Sequence, residues 1–184
     1  NPETSTLPEL WSALVAGDAL TIPHHTGKFP NGVDFSIHDD RFRRNFEMYS
    51  GHGLSETFDP DHPLAFEHSL FTSDATSLDS PTHIQDVWMQ GLQLSAIAAS
   101  DDHRARPGLP QYGLAAVRAP ENARDAIFQA LHDRQTYATT GAKILLDFAV
   151  DGTPMGNRVK LDAAPEITIQ VHGTDTLSGV ELLR

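Results

Sequence analysis

The chain has 184 residues, of which 39% are hydrophobic and 21% charged, the balance of an ordinary globular protein with one sizeable core. A formal net charge of −12 predicts no nucleic-acid partner, because such a surface repels phosphate backbones. The lack of cysteine excludes disulfides, thiolate metal sites and a cysteine nucleophile, so any metal ligand must be nitrogen or oxygen.

The sequence has no apolar run near the roughly 18 residues that a membrane helix needs, which predicts no membrane partner. The first ten residues, "NPETSTLPEL", have neither the basic region nor the apolar stretch of a signal peptide. A cytoplasmic and an exported location both stay open.

The first hundred residues predict alternating helices and strands. Thr6 as N-cap, with Glu9 three residues later, predicts a short helix that Gly17 can end. A second helix is predicted over 82–91, with Thr82 as cap and Gly91 as stop. Strands are predicted for "ALTIP" (19–23), "NFEMYS" (45–50) and "LQLSAIAAS" (92–100). This order is typical of α/β proteins, whose sites gather at the carboxyl ends of parallel strands.

The character of the chain changes in its second half. A strand at 112–120 and a helix at 121–135 are followed by two segments of alternating apolar residues, 143–152 and 166–173. This period of two, with the "DG" turn between strands, predicts antiparallel pairing. We place a domain boundary near residue 141, with a β-rich extension over 141–184.

Histidines and carboxylates follow three of the predicted strands, in "PHH", "SGHG" and "SDDH". One parallel sheet would bring these motifs to a single edge. Asp101 and His103 flank one residue, and a carboxylate with a neutral imidazole suits zinc, manganese or iron(II). The alternatives are a turn-capping Asp101 with a solvated His103, a turn residue at His52 and an exposed Glu47.

His24 and His25 are adjacent at the end of a predicted strand. Successive side chains of a strand point to opposite faces, so we expect one of the two imidazoles to enter a metal site. The other imidazole would pack beside the site or orient a neighbour. A bend at Pro23 and Gly27 would instead bring both inward.

Four motifs, "TIPHHTG", "FEMYSGHGLSE", "AASDDHRARPG" and "RQTYATTGAKILLDF", resemble in this order the polymerase and histidinol phosphatase (PHP) superfamily. They are most similar to its uncharacterised bacterial branch and to the related carbaryl-hydrolase-like metallohydrolases. The resemblance implies the carboxyl-terminal part of a distorted (β/α)7 barrel over residues 1–140. It also implies a metal site at the strand ends that holds divalent zinc, manganese or iron.

Residue by residue, the resemblance implies specific roles at this site. The implied metal ligands are His25, Asp101, His103 and Glu47. The implied catalytic residues are His24 and His52, and Arg104 is the implied substrate-binding residue. The histidine motif at 24–25 has threonine where the family has proline. His25 is expected to be the ligand, because it aligns with the family's ligand.

The resemblance also has a departure, since the family's opening H-x-H motif has no counterpart upstream of His24. We therefore expect a carboxyl-terminal half barrel that pairs with a missing amino-terminal half or with itself. The implied activity is a metal-dependent hydrolase of a small-molecule substrate, first a phosphoester. The alternatives are an ester or carbamate hydrolase and a non-catalytic scaffold.

Overall fold

The computed structural model describes residues 6–28, 32–65, 83–106 and 112–183. Within them the helices are α1 (Leu7–Ser12), α2 (Ile84–Met89) and α3 (Arg124–His132). The strands are β1 (Asn45–Ser50), β2 (Gly53–Leu54), β3 (Ser95–Ala98), β4 (Leu114–Val117), β5 (Thr136–Thr139), β6 (Leu145–Val150), β7 (Thr153–Pro154) and β8 (Ile167–His172).

Helix α1 begins as the sequence predicts. The Thr6 hydroxyl accepts a hydrogen bond from the Glu9 amide, and the Glu9 carboxylate accepts one from the Thr6 amide, which completes a capping box. The helix ends at Ser12, before the predicted stop at Gly17. Its Trp11 is buried and stacks on Phe42 at 6.3 Å between ring centroids, which fixes the helix to the segment before β1.

The sheet that bears on function has the order β2-β1-β3. Strands β1 and β3 run parallel, with Phe46 opposite Ala96 and Glu47 opposite Ile97. Both strands were predicted, and their parallel pairing places their carboxyl ends at the same edge. Strand β2 returns antiparallel to β1, with Ser50 opposite Gly53.

The core of this unit lies between the sheet and α2. It is built from buried apolar side chains of β1, α2, the segment before β1 and the segment before β3: Phe35, Phe46, Ile84, Val87 and Leu94. Helix α2 lies within the predicted range, and it ends before Gly91, as expected. Its predicted cap, Thr82, lies outside the described residues, and His83 occupies the N-cap position.

The predicted strand "ALTIP" (19–23) is not formed, and that prediction was wrong. The segment contributes one bridge, between Ala16 and Ala19, and then runs without regular structure to His24. Its Thr21 amide donates to the Phe42 carbonyl at 2.9 Å. Pro23 has no amide hydrogen to continue such a ladder, which explains why a β-prone sequence forms no strand here.

Two further sheets are antiparallel. Strand β4 pairs with β5, a strand that the sequence did not predict, and the Thr136 hydroxyl of β5 donates to the Ala96 carbonyl of β3 at 3.0 Å. The third sheet has the order β7-β6-β8. A two-residue turn at Asp151 and Gly152, both with positive φ, joins β6 to β7 as the "DG" signal predicts.

The expectation of a partial (β/α)7 barrel was wrong. The described chain is mostly small antiparallel sheets, is 14% helical and forms no closed barrel. Only β1 and β3 pair in parallel among the strands of the described segments. A barrel needs parallel strands that each return through a helix, whereas α3 leads from β4 into an antiparallel partner, β5. No helix in the described ranges is both long and apolar enough to cross a membrane.

Candidate metal centre

The carboxyl ends of β1 and β3 carry the polar residues of the candidate site. His52 follows β1 and Asp101 follows β3, and the two loops touch where the Gly51 amide donates to the Ser100 carbonyl at 3.2 Å. A Cβ at Gly51 would lie 2.8 Å from that carbonyl oxygen, so only glycine permits this approach. The structure thus brings "SGHG" and "SDDH" to one edge of the parallel pair, whereas "PHH", the third motif of that prediction, follows no strand.

Serines at the two strand ends shape these loops in the same way. The Ser50 hydroxyl accepts from the His52 amide at 3.0 Å, and the Ser100 hydroxyl accepts from the Asp102 amide at 3.3 Å. Such serine turns hold the loops without a regular ladder. Neither serine was predicted to act at the site, although the repeated spacing in "SGH" and "SDD" is a sequence signal for both.

Asp101 is the centre of the group. Its side chain is 10% exposed, and its Oδ2 atom lies 3.5 Å from His24 Nε2, 3.2 Å from His25 Nε2 and in close contact with His52 Nδ1. Its Oδ1 atom lies 3.0 Å from His103 Nε2. We call these five residues, His24, His25, His52, Asp101 and His103, the Asp101 cluster.

The side chains of His24 and His25 both contact Asp101. The expectation that only one of the two imidazoles enters the site was therefore wrong. Their rings lie 3.6 Å apart between centroids, at 35°. The physical reason is that His25 has a left-handed backbone, with φ of 53°, and is not in a strand. The alternation that separates neighbouring side chains in extended chain does not apply there. The roles predicted for His24 and His25 stay predictions.

Ser55 holds the turn that follows His25. Its hydroxyl accepts a hydrogen bond from the Gly27 amide at 3.0 Å. Thr26, between His25 and Gly27, is fully buried. This contact fixes the segment that carries the two histidines against the end of β2. Ser55 was not predicted, because a buried serine that lies 28 residues from its partner leaves no local sequence pattern.

The donor set suits a divalent cation. His24, His25 and Asp101 each offer a ligand atom within 4.8 Å of the others. Asp101 Oδ2 and His52 Nδ1 are both buried, and within the described chain they contact each other without a regular hydrogen bond. Buried polar atoms that converge without hydrogen bonds are costly unless something else satisfies them. Imidazole and carboxylate are ligands that zinc, manganese and iron(II) accept.

Glu47 approaches the cluster from a different side. Its side chain is 8% exposed, and its Oε2 atom contacts His24 Nδ1, the ring nitrogen that does not face Asp101. Glu47 is not one of the three residues whose ligand atoms converge. The structure thus connects Glu47 to the cluster through His24.

The remaining predicted residues lie at the outer side of the site. His103 is 81% exposed and contacts Asp101 Oδ1. Arg104 is also exposed, and its Nε lies 3.4 Å from Asp102 Oδ1. The hydrogen bond from Arg106 to Asp102, at 2.9 Å, lowers the pKa of the Asp102 carboxyl. Asp102 thus pairs with arginines and leaves Asp101 to the histidines.

A large groove lies elsewhere on the molecule. It has a volume of about 1300 Å³ and is lined by residues of β5, β6 and the segments before β3 and after β7, among them Gln93, Tyr137 and Arg158. None of its lining residues belongs to the Asp101 cluster. Because the convergent buried ligand atoms lie at the ends of β1 and β3, we assign the candidate site there and not to the groove.

Comparisons with known proteins give family membership without a function. A family model described as "Protein of unknown function (DUF3604)" matches residues 75–171. The chain is similar to uncharacterised proteins of Chlamydia muridarum (27% identical) and Chlamydia pneumoniae (27% identical), over 97% of this chain in each case. It spans about 30% of the length of these relatives. No solved structure matches the chain significantly.

Proposed function

The chain belongs to the DUF3604 family of proteins of unknown function, and we propose that the protein is a metal-dependent hydrolase whose metal is held by the Asp101 cluster. The observation that carries this proposal is the convergence of His24 Nε2 and His25 Nε2 on the buried Asp101 Oδ2 atom. These atoms come from two distant segments of the chain, and Asp101 Oδ2 makes no normal hydrogen bond there.

Backbone strain at the cluster also supports the proposal. His25 and Asp101 have φ of 53° and 48°, a left-handed conformation that residues with a Cβ rarely adopt. Such residues concentrate at functional sites, where the surrounding structure holds them against a cost of about 1–3 kcal/mol. The hydrogen bond between Ser55 and Gly27 and the contact between Gly51 and Ser100 supply that support.

Each member of the cluster has a proposed task. His24 and His25 would ligate the metal through Nε2, together with the Asp101 carboxylate. When bound, a divalent ion lowers the pKa of a bound water toward neutrality and offsets negative charge on the substrate. His103, which the resemblance implied as a ligand, is exposed and paired with Asp101 Oδ1, and its proposed task is instead to move a proton at the mouth of the site. His52, packed against Asp101 Oδ2, orients that carboxylate.

We propose a phosphoester as the substrate class. The support is the similarity of the four sequence motifs to metallohydrolases that mostly hydrolyse phosphoesters. Arg104 is exposed in the same loop, directly after His103 and three residues after Asp101, and it is the proposed contact to the phosphate.

The test uses the full-length protein with Mn²⁺ or Zn²⁺ added. We expect hydrolysis of p-nitrophenyl phosphate that depends on the metal and is lost in Asp101→Asn, a nearly isosteric change. Asp133→Asn, in an exposed carboxylate outside the cluster, is the matched control and should keep the activity. Hydrolysis of naphthyl esters but not of the phosphate would reassign the substrate class. Metal uptake without either activity would favour a scaffold.

A further inference from the structure

The buried carboxylate of Glu47 stands against a histidine that is half exposed. The Glu47 side chain is 8% exposed and that of His24 is 50% exposed, and Glu47 Oε2 contacts His24 Nδ1. A carboxylate accepts hydrogen bonds, so a neutral His24 that pairs with Glu47 carries its proton on Nδ1. The other nitrogen, Nε2, is then left with a lone pair.

That second nitrogen faces the centre of the cluster. His24 Nε2 lies 3.5 Å from Asp101 Oδ2. One imidazole thus joins two carboxylates, with Glu47 behind the ring and Asp101 in front of it. A carboxylate behind a ligating histidine fixes the tautomer and the orientation of the ring in known metal sites.

The two carboxylates lie on or next to the parallel strands β1 and β3, whereas His24 belongs to no strand. Glu47 lies on β1 opposite Ile97 of β3, and Asp101 follows β3 closely along the chain. His24 lies on a segment without regular structure, since the predicted strand there is not formed. Its ring orientation therefore depends on its side-chain contacts, which are Glu47 at Nδ1, Asp101 at Nε2 and the neighbouring His25 ring.

From this geometry we infer that Glu47 is a positioning residue, which presents His24 Nε2 to the metal and does not bind the metal itself. This inference rests on the proposed function of the Asp101 cluster. It replaces the earlier expectation that Glu47 is a ligand, which the resemblance implied, with a role that the contacts support. It also assigns His24 a ligand role that depends on Glu47.

Two substitutions separate a positioning role from a ligand role. Glu47→Gln keeps an oxygen that can accept the Nδ1 hydrogen, whereas Glu47→Leu keeps the volume and removes the acceptor. A positioning role predicts that Glu47→Leu lowers Mn²⁺ affinity about 10- to 100-fold, and that Glu47→Gln lowers it clearly less. A ligand role predicts equal losses, because neither side chain offers a carboxylate. Glu56→Gln, in a carboxylate after β2 that accepts a hydrogen bond from Gln85, is the matched control and should bind as the wild type does.

A second readout needs no metal. Imidazole ¹H–¹⁵N correlation spectra of the metal-free protein at about pH 8 report the tautomer of each neutral histidine. We expect the Nδ1–H tautomer of His24 in the wild type and in Glu47→Gln, and a shift toward Nε2–H in Glu47→Leu. Circular dichroism checks that each variant is folded.

The outcomes are distinguishable. Equal losses of Mn²⁺ affinity in Glu47→Gln and Glu47→Leu would overturn the positioning role but not the metal site. The same holds if the His24 tautomer is unchanged in Glu47→Leu. A folded wild type that takes up no metal in the titration would overturn the proposed function, and the positioning role with it.

Discussion

His25 and Asp101, which lie far apart in the sequence, both have left-handed backbones, and their side chains meet at 3.2 Å between Nε2 and Oδ2. A left-handed conformation at a residue with a Cβ costs free energy that glycine does not incur. The cluster therefore holds its ligand atoms together partly at the expense of backbone stability, and this cost is measurable.

The first prediction compares Asp101→Gly with Asp101→Ala. Both remove the carboxylate, so both should lose metal binding, and they differ only in a Cβ at φ of 48°. We expect the glycine variant to be more stable by about 1 kcal/mol in urea unfolding of the metal-free protein. The same pair at Gln129, exposed in α3, is the control and should show the reverse order, since glycine weakens a helix interior. If Asp101→Ala is instead more stable than Asp101→Gly, as expected for the two variants at Gln129, the backbone at Asp101 is not strained.

The second prediction concerns the two adjacent histidines. Since both Nε2 atoms face Asp101 Oδ2, His24→Ala and His25→Ala should each lower metal affinity by more than about tenfold in calorimetric titration. His172→Ala, on the exposed end of β8, is the control. If only one of the two variants loses affinity, the geometry in which both histidines ligate is wrong.

The prediction from sequence succeeded where local chemistry decides. Thr6 and Glu9 predicted the start of α1, and the meeting of His52 with Asp101 followed from two strands with polar residues at their carboxyl ends. These inferences need only side-chain hydrogen bonding and the geometry of a parallel pair. They hold although the barrel that the resemblance implied is not formed.

What failed depends on distant parts of the chain. The segment before His24 has β-prone residues, but no neighbouring strand of the described chain forms a ladder of backbone hydrogen bonds with it as far as Pro23. The sequence of β5 has no clear alternation of apolar and polar residues. It forms a strand because it pairs antiparallel with β4, and this pairing cannot be predicted from the local sequence. The contact from Glu47 to His24 likewise arises from packing and could not be read from spacing.

The third prediction tests the contact between the two loops of the site. Gly51→Ala places a Cβ 2.8 Å from the Ser100 carbonyl oxygen and 2.8 Å from the Tyr112 ring, so the loops of His52 and Asp101 must move apart. We expect a destabilisation of about 1–3 kcal/mol and weaker metal binding. Gly179→Ala, where a Cβ would meet nothing within 4 Å, is the control for the substitution itself. Equal thermal stability of the two variants would show that the loops do not pack as described.

The fourth prediction concerns pH. His38 lies in the segment before β1, and its side chain is 14% exposed. Burial lowers the pKa of His38, and this effect outweighs the opposing attraction of Asp40. The unfolded chain therefore takes up the proton first, and the contribution of a neutral His38 to stability, complete above about pH 6.5, is lost as the pH falls toward the folded-state pKa. In chelator-treated protein, His38→Gln should reduce the loss of unfolding free energy between pH 7.5 and 5.5. An unchanged loss would contradict the buried neutral state, and His172→Gln serves as control.

The most direct measurement of the central claim is anomalous diffraction from crystals of the protein soaked in Zn²⁺. The Asp101 cluster predicts a peak between His24, His25 and Asp101, with the metal about 2.0–2.2 Å from their nitrogen and oxygen atoms. The peak should vanish in Asp101→Asn crystals of the same form. Zinc bound elsewhere in the molecule, with no peak at Asp101, would contradict the account.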